Sequence, residues 1–167
     1  MTNQRRVRRK AMSVILGLTM LFGSVAPGAY GAETVPALTV YDDALSSDFV
    51  DYGWADMDLS DTTTVHGGSR SIRFDPDGDK ALYFYKDRIM NADDYESLQF
   101  WIHGGAQGGQ RVKLVLSLGG QGVAERTIDQ LLPGGIPAGQ WAQVNVRLAD
   151  LGVSGLLDGI WLWGDGD

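Results

Sequence analysis

From residue 38 onward the chain is written in short runs of alternating apolar and polar side chains. In 71–75, Ile72 and Phe74 point one way and Ser71 and Arg73 the other. In 81–85, Leu82 and Phe84 oppose Tyr83 and Tyr85, and in 97–103, Leu98, Phe100 and Ile102 oppose Gln99, Trp101 and His103. Leu114, Leu116 and Leu118 share one side of 111–118. A period of two is the mark of a strand buried on one face. The same reading places strands at 38–43, 49–59, 123–128, 141–148 and 159–163. Helical periodicity is missing from this part of the chain, where 150–157 holds one helical turn at most.

Turn-forming clusters separate the runs: His66-Gly67-Gly68, Asp75-Pro76-Asp77-Gly78, Gly104-Gly105, Gly119-Gly120 and Pro133-Gly134-Gly135. Glycine supplies the positive φ and proline the fixed φ that tight turns need. Strands spaced by about 8–15 residues predict an all-β fold, an antiparallel β-sandwich. No repeat of solenoid period is visible. The sequence stops at Trp163-Gly164-Asp165-Gly166-Asp167, directly after an apolar strand. The expectation is therefore a sandwich lacking its closing C-terminal strand, with an open edge that invites self-association.

The first 31 residues follow a different rule. Arg5, Arg6, Arg8, Arg9 and Lys10 form a basic head, an apolar run follows from 11 to about 25, and Pro27, Gly28 and small residues end it. This order is that of a secretory signal peptide, with cleavage expected after Gly31. The apolar run is shorter than the roughly 20 residues that span a bilayer and Pro27 interrupts it. The predicted organisation is thus a signal peptide at 1–31, a short linker at 32–37 and a β-sandwich domain at 38–167. The protein is expected to be secreted, with no stable membrane insertion after cleavage.

Charge and composition narrow the function. The whole chain has 14 Lys+Arg and 21 Asp+Glu among 167 residues. Loss of the five basic leader residues leaves nine against 21, a formal charge of −12. Such a domain repels nucleic acid, so none is expected as a partner. With no cysteine, a disulfide framework, a thiolate nucleophile and a Cys-based zinc site are excluded, and two histidines exclude a multi-His metal site. Glu33, Glu96 and Glu125 are the only glutamates and none lies in an acid motif. No G-x-S-x-G elbow occurs, and the glycine pairs join strands instead of opening helices. Catalysis by this chain is not expected.

Several motifs occur in a familiar order: Tyr41-Asp42-Asp43-Ala44-Leu45, Tyr52-Gly53-Trp54, Val65-His66-Gly67-Gly68-Ser69-Arg70-Ser71-Ile72, Ala81-Leu82-Tyr83-Phe84, Ser97-Leu98-Gln99-Phe100-Trp101-Ile102-His103, Trp141-Ala142-Gln143-Val144-Asn145-Val146 and Gly159-Ile160-Trp161-Leu162-Trp163. Over about residues 38–163 the series resembles the galactose-binding-like β-jelly rolls that serve secreted bacterial polysaccharide-degrading enzymes as carbohydrate-binding modules. The resemblance implies a jelly roll that binds polysaccharide or oligosaccharide without catalysis. It also implies a structural calcium, with Asp43 as a ligand beside main-chain oxygens near 67–69. The strand that closes such domains, and the acid it brings, is missing here. Asp75-Pro76-Asp77-Gly78-Asp79 lacks the register of an EF-hand loop and reads as a charged turn.

Sugar rings offer flat C–H faces and a rim of hydroxyls, which aromatic plates and amides complement. Tyr83, Tyr85, Trp101, Trp161 and Trp163 lie opposite the core-directed aliphatic positions, which places them on one sheet's outer face. Gln99, His103, Asn145 and Arg147 occupy comparable outward positions suited to hydroxyls, and Trp54 belongs to a loop rim or sheet edge. Two other readings stay open. The domain is a structural or cell-surface spacer without a glycan ligand, its aromatics covered by a neighbour, or it is the N-terminal module of a larger glycoside hydrolase or lyase.

Overall fold

The computed structural model describes residues 14–24 and 37–166. Its strands are β1 (Val14–Ser24), β2 (Leu38–Tyr41), β3 (Val50–Asp51), β4 (Asp56–Asp61), β5 (Ser71–Asp75), β6 (Ala81–Asn91), β7 (Tyr95–His103), β8 (Val112–Leu118), β9 (Gln121–Thr127), β10 (Trp141–Arg147) and β11 (Leu156–Gly164). One sheet has the order β10-β7-β1-β5-β4, with β2 also paired to β1, and the other has the order β3-β6-β11-β8-β9. Every pairing is antiparallel. Among the described residues helix is confined to α1 (Ile128–Leu131) and two 3-10 turns, Ala92–Asp94 and Leu148–Leu151. The fold is the all-β sandwich that the alternation predicts. Among the described residues no helix is long and apolar enough to cross a membrane.

The core forms where the inward positions of the two sheets meet. Ile72 and Phe74 of β5, Leu98, Phe100 and Ile102 of β7 and Val144 of β10 pack toward Leu82 and Phe84 of β6, Leu114 and Leu116 of β8 and Ile160 and Leu162 of β11, all buried. Full burial of such side chains stabilises by about 1.5–3 kcal/mol each. The strands alternate because the residues between these positions face outward, and that outward set carries the candidate chemistry.

The predicted strand at 49–59 is divided in the structure. Its first part, β3, pairs with β6, and its second part, β4, pairs with β5 in the other sheet. Between them the backbone N–H groups of Tyr52, Trp54 and Ala55 donate to the carbonyls of Tyr83 (2.9 Å) and Ala81 (2.9 and 3.1 Å). Gly53 passes so close to β6 that a Cβ there would stand 3.0 Å from the Ala81 carbonyl oxygen. The segment therefore clings to the rim of one sheet before crossing to the other.

A larger difference concerns the apolar run expected in the leader. Val14–Ser24 is a strand lying between β7 and β5. Leu16 is in register with Ile72 on one side and Ile102 on the other, and Phe22 with Leu38 and Leu98. This sheet is thus continuous through β1. An unpaired strand edge presents a row of N–H and C=O groups, and an extended segment placed between two edges satisfies both. A continuous apolar run is also how a strand buried on both faces reads, so the composition of a leader and of a central strand coincide here. The basic residues at 5–10 and the expected cleavage point after Gly31 lie outside the described residues.

Candidate functional site

The outer face of the β3-β6-β11-β8-β9 sheet is aromatic. Register sets the arrangement: Trp161 of β11 stands opposite Tyr83 of β6 and Val115 of β8, Trp163 opposite Ala81 and Lys113, and Gly159 opposite Tyr85 and Ser117. Tyr83 and Trp161 have ring centroids 4.6 Å apart, and Trp161 and Trp163 5.5 Å. The rim segment adds two more rings. Tyr52 stacks on Tyr85 at 5.3 Å with planes 20° apart, and Trp54 meets Trp161 and Trp163 edge-on at 5.8 and 6.1 Å. Tyr83 is buried beneath this layer, Tyr85, Trp161 and Trp163 are half-buried, and Tyr52 and Trp54 are 56% and 43% exposed.

Polar contacts lock the floor of this face. The Trp161 indole N–H donates to Ser117 Oγ at 3.1 Å, and Ser117 Oγ donates to Asp158 Oδ1 at 3.2 Å. The Gly119 N–H donates to the other Asp158 oxygen at 2.6 Å, so this buried carboxylate is held on both oxygens. Burial pushes the Tyr83 phenol up from its ordinary pKa, and the charge on Asp158 adds to the shift while a Ser117 hydrogen bond opposes it. The phenol therefore stays neutral. Gly159 leaves the space that the Tyr83 ring fills, since a Cβ there would lie 2.6 Å from Tyr83 Cε2. At one corner Lys113 Nζ stands 4.9 Å over the Trp163 ring and near Glu125 and Asp165 (4.0 and 3.9 Å). The Trp54 indole N–H is anchored on the Asp79 carbonyl at 2.6 Å. The Trp163 indole N–H is buried with no acceptor among the described residues.

The sequence-predicted residues do not form one surface. Tyr83, Tyr85, Trp161 and Trp163 share the face just described and Trp54 sits at its rim, as its loop position predicts. Trp101, Gln99 and Asn145 lie on the outer side of the opposite sheet, on β7 and β10, with Asn145 in register with Gln99 and Gln143 with Trp101. This corrects the expectation of a single aromatic face: alternation tells inside from outside but not which sheet a strand joins. Trp101 is also not an open plate, because the His66 ring stacks on it at 3.9 Å with planes 20° apart and Trp141 closes on His66 from the side at 5.4 Å. Gln99 donates its amide to Ser97 Oγ at 3.3 Å. Buried His103 accepts the Gly105 N–H at its Nδ1 (3.0 Å). Asn145 and Arg147 line a separate open cleft of about 640 Å³ with Arg126, Gln130 and Asp150.

Asp43, the expected calcium ligand, has φ of 57° and reaches across to the 69–70 loop. Its carboxylate accepts the Ser69 N–H (2.8 and 2.9 Å), the Ser69 hydroxyl (2.9 Å) and the Arg70 N–H (2.9 Å). These bonds, the Ser69 N–H foremost, hold its pKa below the usual carboxylate range. Calcium takes oxygen ligands, whereas the groups gathered here are donors that already satisfy the carboxylate. Among the described residues no three His, Asp or Glu side chains converge as a metal set. The Asp43 carboxylate is thus held by donors on both of its oxygens.

Tyr52 was missed by sequence reasoning, as were His66 and Trp141 as ring partners. The signal for Tyr52 was present: it flanks Gly53 with Trp54 at the alternate position, so both rings emerge on one side of a segment pressed against β6.

A β-sandwich with one outer face built of stacked aromatic rings is the class of protein that fold and site define. No family model matches the chain. It is similar to an endoglucanase of Dictyostelium discoideum, 32% identical over 130 residues, which is 75% of this chain and 18% of that protein. The chain thus spans less than a fifth of the curated relative it matches.

Proposed function

We propose that this protein is an exported, non-catalytic carbohydrate-binding module whose ligand lies on the face formed by Tyr52, Trp54, Tyr85, Trp161 and Trp163. The observation that carries the reading is the exposure of Trp54 and Tyr52 above rings already packed and hydrogen-bonded into a rigid floor. A soluble domain rarely leaves such an apolar patch open without a partner for it. Flat C–H faces of sugar rings stack on exposed Trp and Tyr, and neighbouring polar groups such as Lys113 and Glu125 orient the hydroxyls. Fixing the rings before binding lowers the entropy lost on association.

The similarity to a segment of an endoglucanase supports a polysaccharide ligand and makes glucans the first class to test. It also supports a place within a larger polysaccharide-active protein, where modest affinity per module is raised by tethering. The basic and apolar leader composition supports export.

The test is affinity electrophoresis of the full chain through gels containing soluble glucans, with pull-down on insoluble glucan. Retardation that is lost in Trp54→Ala and kept in Trp101→Ala supports the reading. Unretarded migration of the folded protein through every glucan gel, with no pull-down, overturns it.

A further inference from the structure

We propose that the channel between β5 and β7 is a strand-acceptor site and that Val14–Ser24 is its detachable occupant. The pairing pattern is the basis. Along one side β1 is in register with β5 at Val14, Ile15 and Leu16 and with β2 at Met20, Leu21 and Phe22. Along the other it pairs with β7 at Ile15–Gly17 and again at Leu21–Ser24, with a register shift between the two stretches. Among the described residues no other pairing joins β10-β7 to β5-β4, and β2 otherwise has only the Tyr41–Leu45 bridge. Removing β1 therefore divides this sheet into pieces, while the aromatic sheet stays continuous as β3-β6-β11-β8-β9.

The occupant is also placed so that it can leave. It is the first described element, joined to the rest only through residues 25–36, where the sequence predicts a processing cut after Gly31. The channel states what it accepts. Its flanking strands carry buried Ile72, Phe74, Leu98, Phe100 and Ile102, and without β1 the ladder edges it now pairs on both sides would be open. An extended apolar peptide fits, antiparallel to both flanks and without charge or proline in its middle. The sequence VILGLTMLFGS meets those terms. The assignment does not depend on glycan binding, since the aromatic face lies on the other sheet.

The experiment uses the full chain with a specific protease site placed within 25–36. After cutting, the N-terminal fragment is expected to co-elute with the body in gel filtration. It should exchange with a fluorescent VILGLTMLFGS peptide carrying a lysine tail, saturating at one peptide per chain. The Leu16→Pro peptide, which lacks an N–H in a strand paired on both sides, should bind about tenfold weaker or worse. Stripping the fragment in denaturant should lower the melting temperature of the refolded body by about 10 °C or more, with recovery on adding the peptide. A stripped body that melts as before and ignores the peptide overturns the proposal, as does a body that dimerises and excludes the peptide. If the stripped body does not refold, Val14–Ser24 fused behind Asp167 through a flexible linker decides: a restored cooperative transition supports the acceptor site and its absence rejects it.

Discussion

Trp161 and Tyr83 face each other across β11 and β6 with ring centroids 4.6 Å apart, and the Trp161 indole is tied on its other flank to Ser117. The pair divides the aromatic face into two layers. Below, rings are wedged between strands and hydrogen-bonded. Above, Trp54 and Tyr52 lean on them and remain open to solvent. Rigidity and access are thus supplied by different residues, which makes their contributions separable by mutation.

Trp54→Ala is expected to lower glycan affinity about tenfold or more while shifting the melting temperature little, because the ring is largely outside the core. Trp161→Ala should lose both binding and about 2 kcal/mol or more of stability, since its truncation empties space between Tyr83 and Val115. Affinity electrophoresis beside thermal denaturation separates the two variants. Equal mobility of Trp54→Ala and the parent in a glucan gel that retards the parent would remove the rim from the site.

Ser117→Ala should destabilise by about 1–3 kcal/mol, because it takes a donor from buried Asp158 and the acceptor from the Trp161 N–H. Gly159→Ala should be similarly costly, as its Cβ meets the Tyr83 ring and Ser117 Oγ and displaces the floor. Urea denaturation gives both values, and a changed tryptophan emission in Gly159→Ala would report the displaced rings.

Asp43 gives a pH dependence of known sign. Its folded pKa is lowered by the Ser69 and Arg70 donors, so its contribution is fully present above the unfolded value of about 3.9 and disappears as pH falls through the folded value. Asp43→Asn should melt lower than the parent at neutral pH and lose less on acidification toward and below that range. Adding calcium or a chelator should leave the parent's melting temperature unchanged, because N–H and O–H donors already occupy the carboxylate. A clear rise with calcium would assign Asp43 the ligand role instead.

Trp101→Ala should leave glycan mobility at the parent's value and lower stability, since its ring is covered by His66 on the sheet opposite the platform. Retardation lost in this variant alone, with the fold intact, would move the site to the β7–β10 face.

Much of the fold was legible along the chain. The strand at Ser71–Asp75 and the orientations of Leu82, Phe84, Ile160 and Leu162 toward the core, with Tyr83, Tyr85, Trp161 and Trp163 away from it, follow from a period of two. Trp101 obeys the same rule and yet lies on another surface, because pairing partners are non-local and leave no trace in alternation. The break of 49–59 into β3 and β4 was hidden for a related reason: its cause is the backbone of β6, some thirty residues away in sequence.

The apolar run at Val14–Ser24 shows where reading by composition ends. A short, uncharged, greasy segment suits a translocation leader and a strand buried between two others equally, since both exclude water from one continuous apolar stretch. By itself the sequence determined the all-β class, the inward direction of the core aliphatics such as Leu82, Phe84, Leu98 and Phe100, and an acidic, cysteine-free composition. Tertiary structure alone decided which aromatics meet, that Asp43 is satisfied by donors, and that β5 and β7 are bridged by β1. Alternation is a local property of the backbone's pleat, whereas sheet membership is fixed by hydrogen bonds between residues far apart in the chain.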